Sequence, residues 1–363
     1  MLPQQTITFP RDIGSRQMKS IGSNSETRKA VYAVTSNGRD LHSVMARVSV
    51  ASIRATNPHI AIIVACDGES YTAMKHSRDP LLEEVDDLIV CNTPAGDSRF
   101  RSRFVKTQVR RLVDGPFLFL DSDTFVRDDI SEIFSLDADI ACAPNNSKDS
   151  IEQQRWCGDD AILSRMGWRI RQDVYVNGGV IFYNSTSDAA RIGDDWHQKW
   201  LRSYGIAESH TDQAALNAAI FDTAPRLEVL PHRFNAQFKM SPSTVSSAVV
   251  WHFYASWVDE PVTEVEPLVG KLLKGAELRR SHIESMVRHN HPWRRDSWFD
   301  DLVARRVIKK NFFDRRDQLW FQGHRMRSVT GGMIRLMIRR LAGGTIYDQV
   351  KRVAHQLAFR LRI

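Results

Sequence analysis

From residue 30 onward, the chain alternates continuous apolar runs with runs whose apolar residues recur at helical spacing. A short continuous apolar run predicts a strand buried on both faces, and helical spacing predicts an amphipathic helix. The predicted strands are 30–36, 59–67, 87–92 and 117–121, and the predicted helices between them are 41–56 and 102–114. Because such strands are joined by right-handed crossovers, this order predicts an α/β fold in which helices cover both faces of a mostly parallel sheet.

The pattern is less regular beyond residue 142. The predicted elements are a polar loop at 143–160, a strand at 174–184, helices at 187–204 and 210–221, and a strand at 248–257. Asn177, Gly178 and Gly179 interrupt the first of these strands, and glycines inside a strand often mark a bulge. Composition changes after Pro261 and Pro267, which predicts a domain boundary near residue 266.

Charge and composition divide the chain into three predicted parts. Residues 1–28 are mostly polar and small and are expected to be a flexible tail. Residues 29–265 form the predicted catalytic domain. The basic helical region 266–363 follows; within it, residues 267–363 hold 22 Lys and Arg but only 8 Asp and Glu, while residues 1–266 carry a net charge of −7.

The basic C-terminal region contains two runs, 331–344 and 346–363, that pattern as basic amphipathic helices. Such helices either dock on the catalytic domain or lie on an anionic membrane surface. The positive charge would also attract nucleic-acid phosphates, but no nucleic-acid motif accompanies it.

The compartment is predicted from the cysteines and from the apolar runs. The four cysteines are far apart and mostly lie in apolar runs, which favours buried free thiols over disulfides or a zinc site. No secretion signal is recognised, and no run reaches the roughly 18 apolar residues of a membrane span. These features predict a cytoplasmic protein, with peripheral attachment to the inner face of a membrane as the alternative.

The sequence FLFLDSDTFV, residues 117–126, places Asp121 and Asp123 directly after a buried strand. Ligands bind beyond the carboxyl ends of the strands in sheets of this class, where Asp67 is also predicted to lie. Two carboxylates at such an edge suit Mg²⁺ or Mn²⁺. A dehalogenase-type phosphatase would carry Thr or Val where this chain has Phe125. A nucleotide-sugar transferase would use the metal to neutralise the departing diphosphate.

Four motifs in order carry a family resemblance: the segment 102–134 around the D-x-D, VNGGVIFYN at 176–184, DQAALNAAI at 212–220 and WHF at 251–253. Over roughly residues 29–260, the chain resembles GT-A-fold nucleotide-diphospho-sugar transferases, nearest to the retaining glycosyltransferase family eight. The resemblance implies a GT-A fold and a Mn²⁺-dependent or Mg²⁺-dependent glycosyltransferase. It also implies a nucleoside-diphosphate sugar, a UDP-sugar first of all, as donor and a glycan or lipid-linked molecule as acceptor.

The resemblance also implies roles for particular residues. The metal ligands would be Asp121, Asp123 and His252, and Lys106 would face the donor phosphate or sugar. Asn177 and Gly178 would cradle the donor sugar, and Asp212 and Gln213 would lie against its reacting carbon. Ser36 and Asn37 would receive the nucleotide. Each residue also has a structural alternative. His252 could be a satisfied core histidine, Lys106 a helix-face lysine, and Asp212 a residue favoured by a helix dipole.

One departure from the family pattern concerns the diphosphate. The family's metal-binding histidine opens an H-x-x-G-x-x-K-P-W stretch, whereas this chain reads HFYASWVDEP, without the lysine. Lys106, Arg103 or a basic group of the C-terminal region is therefore expected to supply the charge. The alternatives are a metal-dependent phosphoryl or nucleotidyl enzyme and a non-catalytic membrane- or nucleic-acid-binding protein on a degenerate transferase fold.

Overall fold

A seven-stranded sheet forms the centre of the fold, and a second sheet of three strands adjoins it. The structure is a computed structural model that describes residues 27–146, 148, 150–237, 242–253 and 265–289. The strands are β1 Lys29–Ala33, β2 Ala61–Asp67, β3 Asp87–Cys91, β4 Phe117–Leu120, β5 Thr124–Val126, β6 Ile140–Pro144, β7 Val176–Tyr183, β8 Leu227–Val229, β9 Ala236–Gln237 and β10 Val250–His252.

The helices complete the chain order of the described residues. They are α1 Leu41–Thr56, α2 Gly68–His76, α3 Leu81–Glu84, α4 Ser98–Thr107, α5 Val109–Leu112, α6 Ile151–Gln154, α7 Cys157–Met166, α8 Ser187–Ala207, α9 Gln213–Thr223, α10 Pro242–Ser246, α11 Val265–Leu273 and α12 Arg280–Val287. None of these helices has the length and apolar character that crossing a membrane requires.

The large sheet has the order β3-β2-β1-β4-β7-β6-β8. Its strands run parallel to one another except for β7, which is antiparallel to both β4 and β6. Successive side chains along each strand point to opposite faces of the sheet and belong to two separate hydrophobic cores. One lies under α1, and the other lies under α4, α8 and α9. This arrangement confirms the predicted fold class, an α/β fold with helices on both faces of a mostly parallel sheet.

The strand predicted at 174–184 is Val176–Tyr183, and its register with β4 runs unbroken from Phe117 opposite Tyr183 to Leu120 opposite Val180. Its register with β6 shifts, because Cys142 lies opposite Ile181 whereas Pro144 lies opposite Val176. The extra residues, 177–180, therefore lie on β7 and include the Asn-Gly-Gly segment. The irregularity predicted from these glycines is present on the edge of β7 that pairs with β6.

Helix boundaries also differ from the sequence pattern. The predicted helix 102–114 is two helices, and the first begins at Ser98 because Asp97 Oδ1 accepts a capping bond of 2.7 Å from the backbone N–H of Phe100. The predicted loop 143–160 contains α6 and the first turn of α7. The predicted helix 210–221 begins only at Gln213.

The small sheet has the order β5-β10-β9, and it packs with α1, α11 and α12 around a third core. Val265, Val269 and Leu272 of α11 and Ile283 of α12 are buried there. The predicted boundary near 266 remains a prediction. The predicted tail, up to residue 26, and the amphipathic runs 331–344 and 346–363 lie outside the described residues.

Cys66, Cys91 and Cys142 are buried and unpaired, as the sequence predicts. Burial raises the pKa of each of these three thiols well above its ordinary value. They therefore behave as small apolar core residues rather than as reactive thiols.

Candidate active site

The turn between β4 and β5 carries Asp121 and Asp123. The backbone N–H of Asp121 donates to the carbonyl of Gly179 at 2.8 Å, so the turn begins where β4 still pairs with β7. The carbonyl of Asp121 then accepts from the hydroxyl of Thr124 at 2.8 Å, which closes the turn. Both carboxylates consequently project from the edge of the large sheet into the junction with the small one.

Strand β10 brings His252 to the same junction. Its antiparallel pairing with β5 places His252 opposite Thr124, and the N–H of Phe253 donates to the carbonyl of Asp123 at 2.9 Å. The Nε2 atom of His252 lies 3.3 Å from Asp123 Oδ1 and 4.0 Å from Asp121 Oδ2. Candidate ligand atoms of these three residues all lie within 4.8 Å of one another.

Two basic residues of α4 contact the carboxylates of this region. Lys106 is buried, and its Nζ lies 2.9 Å from Asp121 and 3.4 Å from Asp212 Oδ2. Arg103 Nε lies 3.4 Å from Asp212 Oδ1. Of the three candidates for the missing family lysine, Lys106 therefore lies beside Asp121 and Asp212, and Arg103 lies beside Asp212. A basic group of the C-terminal region remains a prediction.

Asp212 occupies the N-cap position of α9, but its side chain makes no capping hydrogen bond. It points instead toward Arg103 and Lys106. Its carbonyl accepts a hydrogen bond of 2.9 Å from the indole N–H of Trp196. The helix-dipole explanation of this aspartate is thus insufficient, because the carboxylate is turned toward the basic residues rather than toward the first amides of its helix.

The pKa values of the cluster follow from burial opposed by neighbouring charges. Burial alone would raise the pKa of Asp123, but His252 and Lys106 lower it below the ordinary value. Burial likewise opposes ionisation of Asp212, and Arg103 and Lys106 lower its pKa. For His252, burial is outweighed by Asp123, which raises the pKa. The carboxylates of Asp123 and Asp212 are therefore ionised at neutral pH.

A chain of side-chain amides lies behind the cluster. His252 Nδ1 is 2.8 Å from Asn235 Oδ1, and Asn235 Nδ2 donates to Asn177 Oδ1 at 2.9 Å. Asn177 Nδ2 donates to Asn145 Oδ1 at 2.9 Å and to Gln213 Oε1 at 3.1 Å. The chain joins β10, β7 and α9, so two residues predicted to lie at the donor sugar are connected to the predicted metal ligand.

Gly178 and Gly179 adjoin the same groups. A Cβ atom at Gly178 would lie 3.9 Å from Lys106 Nζ, so this glycine is beside the basic residue. A Cβ atom at Gly179 would lie 2.2 Å from His252 Cε1, which is closer than two carbon atoms approach without a bond. The second glycine is therefore required by the position of the imidazole.

The other predicted positions lie at the ends of β1 and β2. The N–H of Ser36 donates to Ser70 Oγ at 3.0 Å, and the N–H of Asn37 donates to Asp40 Oδ2 at 2.9 Å. Asp67 caps α2 by accepting from Ser70, and it pairs with Arg101 at 3.4 Å. In the described part of the chain, none of the hydrogen bonds of Ser36 and Asn37 reaches the acidic cluster.

Sequence reasoning missed Asn145, Asn235 and Asp159. Asn235 is completely buried between His252 and Asn177. Asp159 Oδ1 accepts from the hydroxyl of Thr211 at 2.7 Å, and burial raises the pKa of its carboxyl. The only signal in the sequence was a polar residue among buried ones, as in Phe234-Asn235-Ala236, and this pattern does not name a partner.

Comparisons with known proteins concern the segment that contains this cluster. A family model described as nucleotide-diphospho-sugar transferase matches residues 59–257. Among solved structures, the galactosyltransferase LgtC, in complex with donor and acceptor sugar analogues, is similar over 69% of this chain and 97% of its own, with 15% identity and a TM-score of 0.48. The glycosyltransferase GlyE of Streptococcus pneumoniae TIGR4 is similar over 74% of this chain and 66% of its own, with 19% identity and a TM-score of 0.45. No curated protein matched the sequence.

Proposed function

Because the chain belongs to the nucleotide-diphospho-sugar transferase family, we propose that it is a Mn²⁺-dependent glycosyltransferase whose reaction takes place at the junction of the two sheets. The donor is a nucleoside-diphosphate sugar, a UDP-sugar first of all, and the acceptor is a glycan or a lipid-linked molecule. One observation supports this proposal above the others: Asp121, Asp123 and His252 converge directly beside Lys106 and Asp212.

The side chains of the cluster fit a divalent cation. Two carboxylates and one imidazole offer hard oxygen ligands and one nitrogen ligand, a combination that suits Mn²⁺ better than Ca²⁺. Asp121, Asp123 and His252 would hold the ion. When bound, the ion neutralises negative charge on the two phosphates of the leaving nucleoside diphosphate.

Lys106 and Arg103 provide the fixed positive charge of the protein itself. Lys106 is buried, so its ammonium group acts through little intervening water and its interaction with phosphate oxygens is strong. It takes the role that the resembled family gives to a lysine after the histidine. Arg103 and Lys106 also keep Asp212 ionised. In this proposal, its carboxylate faces the positive charge that develops on the reacting sugar.

Asn177, Gly178 and Gln213 orient the donor sugar in this proposal, and Ser36 and Asn37 receive its nucleotide. The absence of a side chain at Gly178 leaves space beside Lys106, and the amide of Asn177 is held by four hydrogen bonds. Because these groups are already held in place, they need little rearrangement when the reaction occurs. Transfer with retention, by front-face displacement, follows from the family resemblance.

The test is nucleoside diphosphate release from a panel of UDP-sugars and GDP-sugars, with Mn²⁺, with EDTA, and with Asp123→Asn. Exposed Asp128, on the same segment, supplies the matched control Asp128→Asn. We expect metal-dependent release from one donor, lost in Asp123→Asn and kept in Asp128→Asn. Release of inorganic phosphate instead would identify a phosphoryl enzyme. No release from any donor, with no thermal stabilisation by nucleotide and Mn²⁺, would refute the proposal.

A further inference from the structure

We propose that Asn235 is a positioning residue that fixes which ring nitrogen of His252 faces Asp121 and Asp123, and that one backbone N–H, that of Gly179, sets this orientation through Asn177. The inference rests on the proposed metal site and concerns the groups behind it. A backbone N–H can only donate, so it determines the direction of every hydrogen bond that follows from it.

The first step runs from Gly179 to Asn177. The N–H of Gly179 donates to the Asn177 side chain at 2.8 Å, so the atom of Asn177 that faces it must be the carbonyl oxygen. The opposite orientation of this amide would place two donors against each other. Asn177 is buried, and water cannot relieve such a conflict.

The second step runs from Asn177 to His252. Because Asn177 presents its oxygen, Asn235 must turn its NH₂ group toward it, and the two atoms lie 2.9 Å apart. The oxygen of Asn235 then faces His252 Nδ1 at 2.8 Å, so this nitrogen carries a proton. The other ring nitrogen, Nε2, is the one that faces Asp121 and Asp123, and its lone pair would serve a cation bound there.

A second backbone group supports the same direction. Asn177 Nδ2 donates to Asn145 Oδ1, and Asn145 Nδ2 in turn donates to the carbonyl oxygen of Gln154. A carbonyl can only accept, so it requires the NH₂ group of Asn145 on that side. The chain is thus fixed from both ends, at Gly179 and at Gln154, and the two constraints agree.

The same chain orients Gln213. Its Oε1 accepts from Asn177 Nδ2 at 3.1 Å, so its carbonyl end faces the protein. The NH₂ end is therefore directed away from Asn177, and it suits an oxygen atom of a donor or acceptor. Gln213 therefore accepts a hydrogen bond from Asn177 and would donate one to a substrate oxygen.

The experiment measures Mn²⁺ binding to the full-length protein by calorimetry, without substrate. Asn235→Leu removes the oxygen that holds His252 Nδ1, and we expect the dissociation constant to rise about 10-fold to 100-fold. Asn177→Asp retains the oxygen that Gly179 and Asn235 require, so its Mn²⁺ affinity should be no weaker than that of the wild type. Asn177→Leu removes that oxygen and should weaken binding.

Asn217 offers a matched control. It is a buried asparagine whose amide bonds only to backbone groups, those of Val176 and Gln213. Asn217→Leu should lower thermal stability to a similar degree but leave the Mn²⁺ affinity within threefold of the wild type. Equal weakening in Asn217→Leu and Asn235→Leu would mean that any buried asparagine has this effect, and it would overturn the proposal.

A measurement on the unmutated protein covers the case in which Asn235→Leu does not fold. Nitrogen NMR of ¹⁵N-histidine protein with Zn²⁺, which is diamagnetic, reports the protonated nitrogen of His252, with His252→Gln used for assignment. We expect the proton on Nδ1, and a proton on Nε2 would overturn the proposal. If the wild type binds no divalent ion, the proposed metal site fails; if it binds and Asn235→Leu binds equally well, only the positioning role fails.

Discussion

Replacement of Gly179 by alanine is expected to displace His252 and to weaken metal binding. The added Cβ would lie 2.2 Å from His252 Cε1 and 2.8 Å from Nδ1. Nonbonded carbon atoms are most favourable at about 3.5–4.0 Å, so the ring must move by more than about 1 Å. His252 is buried on β10, and a shift of this size breaks its hydrogen bond to Asn235.

The magnitude follows from two contributions. Overpacking of a filled interior costs about 1–3 kcal/mol, and loss of one buried hydrogen bond costs about 0.5–1.5 kcal/mol. The free energy of unfolding of Gly179→Ala should therefore fall by about 1.5–4.5 kcal/mol. The Mn²⁺ affinity should fall as well, because the imidazole no longer lies beside Asp121 and Asp123.

Gly178→Ala is the matched control for this prediction. Its Cβ would meet Leu216 Cδ2 at 3.4 Å and Lys106 Nζ at 3.9 Å, which are ordinary contacts. Its stability and Mn²⁺ affinity should stay near those of the wild type, while donor affinity should fall if Gly178 lies against the sugar. The assays are thermal denaturation and calorimetric titration with Mn²⁺. Wild-type stability and Mn²⁺ affinity in Gly179→Ala would refute the steric reasoning.

Three further predictions concern charge, metal and pH. Lys106→Met should lower the rate of nucleoside diphosphate release by about 10²–10³-fold, with partial recovery in Lys106→Arg, because a fixed charge at the leaving group is lost; an unchanged rate would remove Lys106 from the mechanism. Mn²⁺ at 100 times its dissociation constant should stabilise the fold by about 2.7 kcal/mol in unfolding experiments, and EDTA or Asp121→Asn should abolish this gain. Burial lowers the pKa of His197 from 6.5 to about 3. Below pH 6.5, His197 therefore binds a proton in the unfolded chain but not in the folded protein. The free energy of unfolding, compared with that of His197→Gln, should decline by about 1.4 kcal/mol per pH unit from pH 6.5 toward 3. Parallel pH profiles of the two proteins would contradict this.

Hydrophobic patterning was sufficient to predict the central sheet. Strands β1, β2 and β4 are buried on both faces, and this burial produces continuous apolar runs, whereas β3 lies at the sheet edge and is only partly buried. Short elements were not predictable in the same way. Strands β5, β9 and β10 have two or three residues each, and β5 pairs with β10, which follows it by more than 100 residues. A local pattern contains no information on such partners.

The candidate site was predictable only in part, for a similar reason. Asp121 and Asp123 are recognisable because two carboxylates directly after a buried strand are costly to bury unless a cation or a basic group faces them. Asn235 is not, since a buried asparagine is equally consistent with a turn or a helix cap. Its importance lies in what it contacts, His252 on one side and Asn177 on the other, and these contacts exist only after the chain has folded.

The small sheet has a consequence for how the protein is made. It pairs Thr124–Val126 with Val250–His252. His252 is therefore synthesised long after the turn that carries Asp121 and Asp123. At about 5–20 residues per second, the delay is on the order of ten seconds. Because such distant pairings form late in folding, a nascent or truncated chain that ends before residue 250 lacks both β10 and the third candidate ligand. Cation binding by this protein would therefore report that synthesis has passed β10 and that the two sheets have joined.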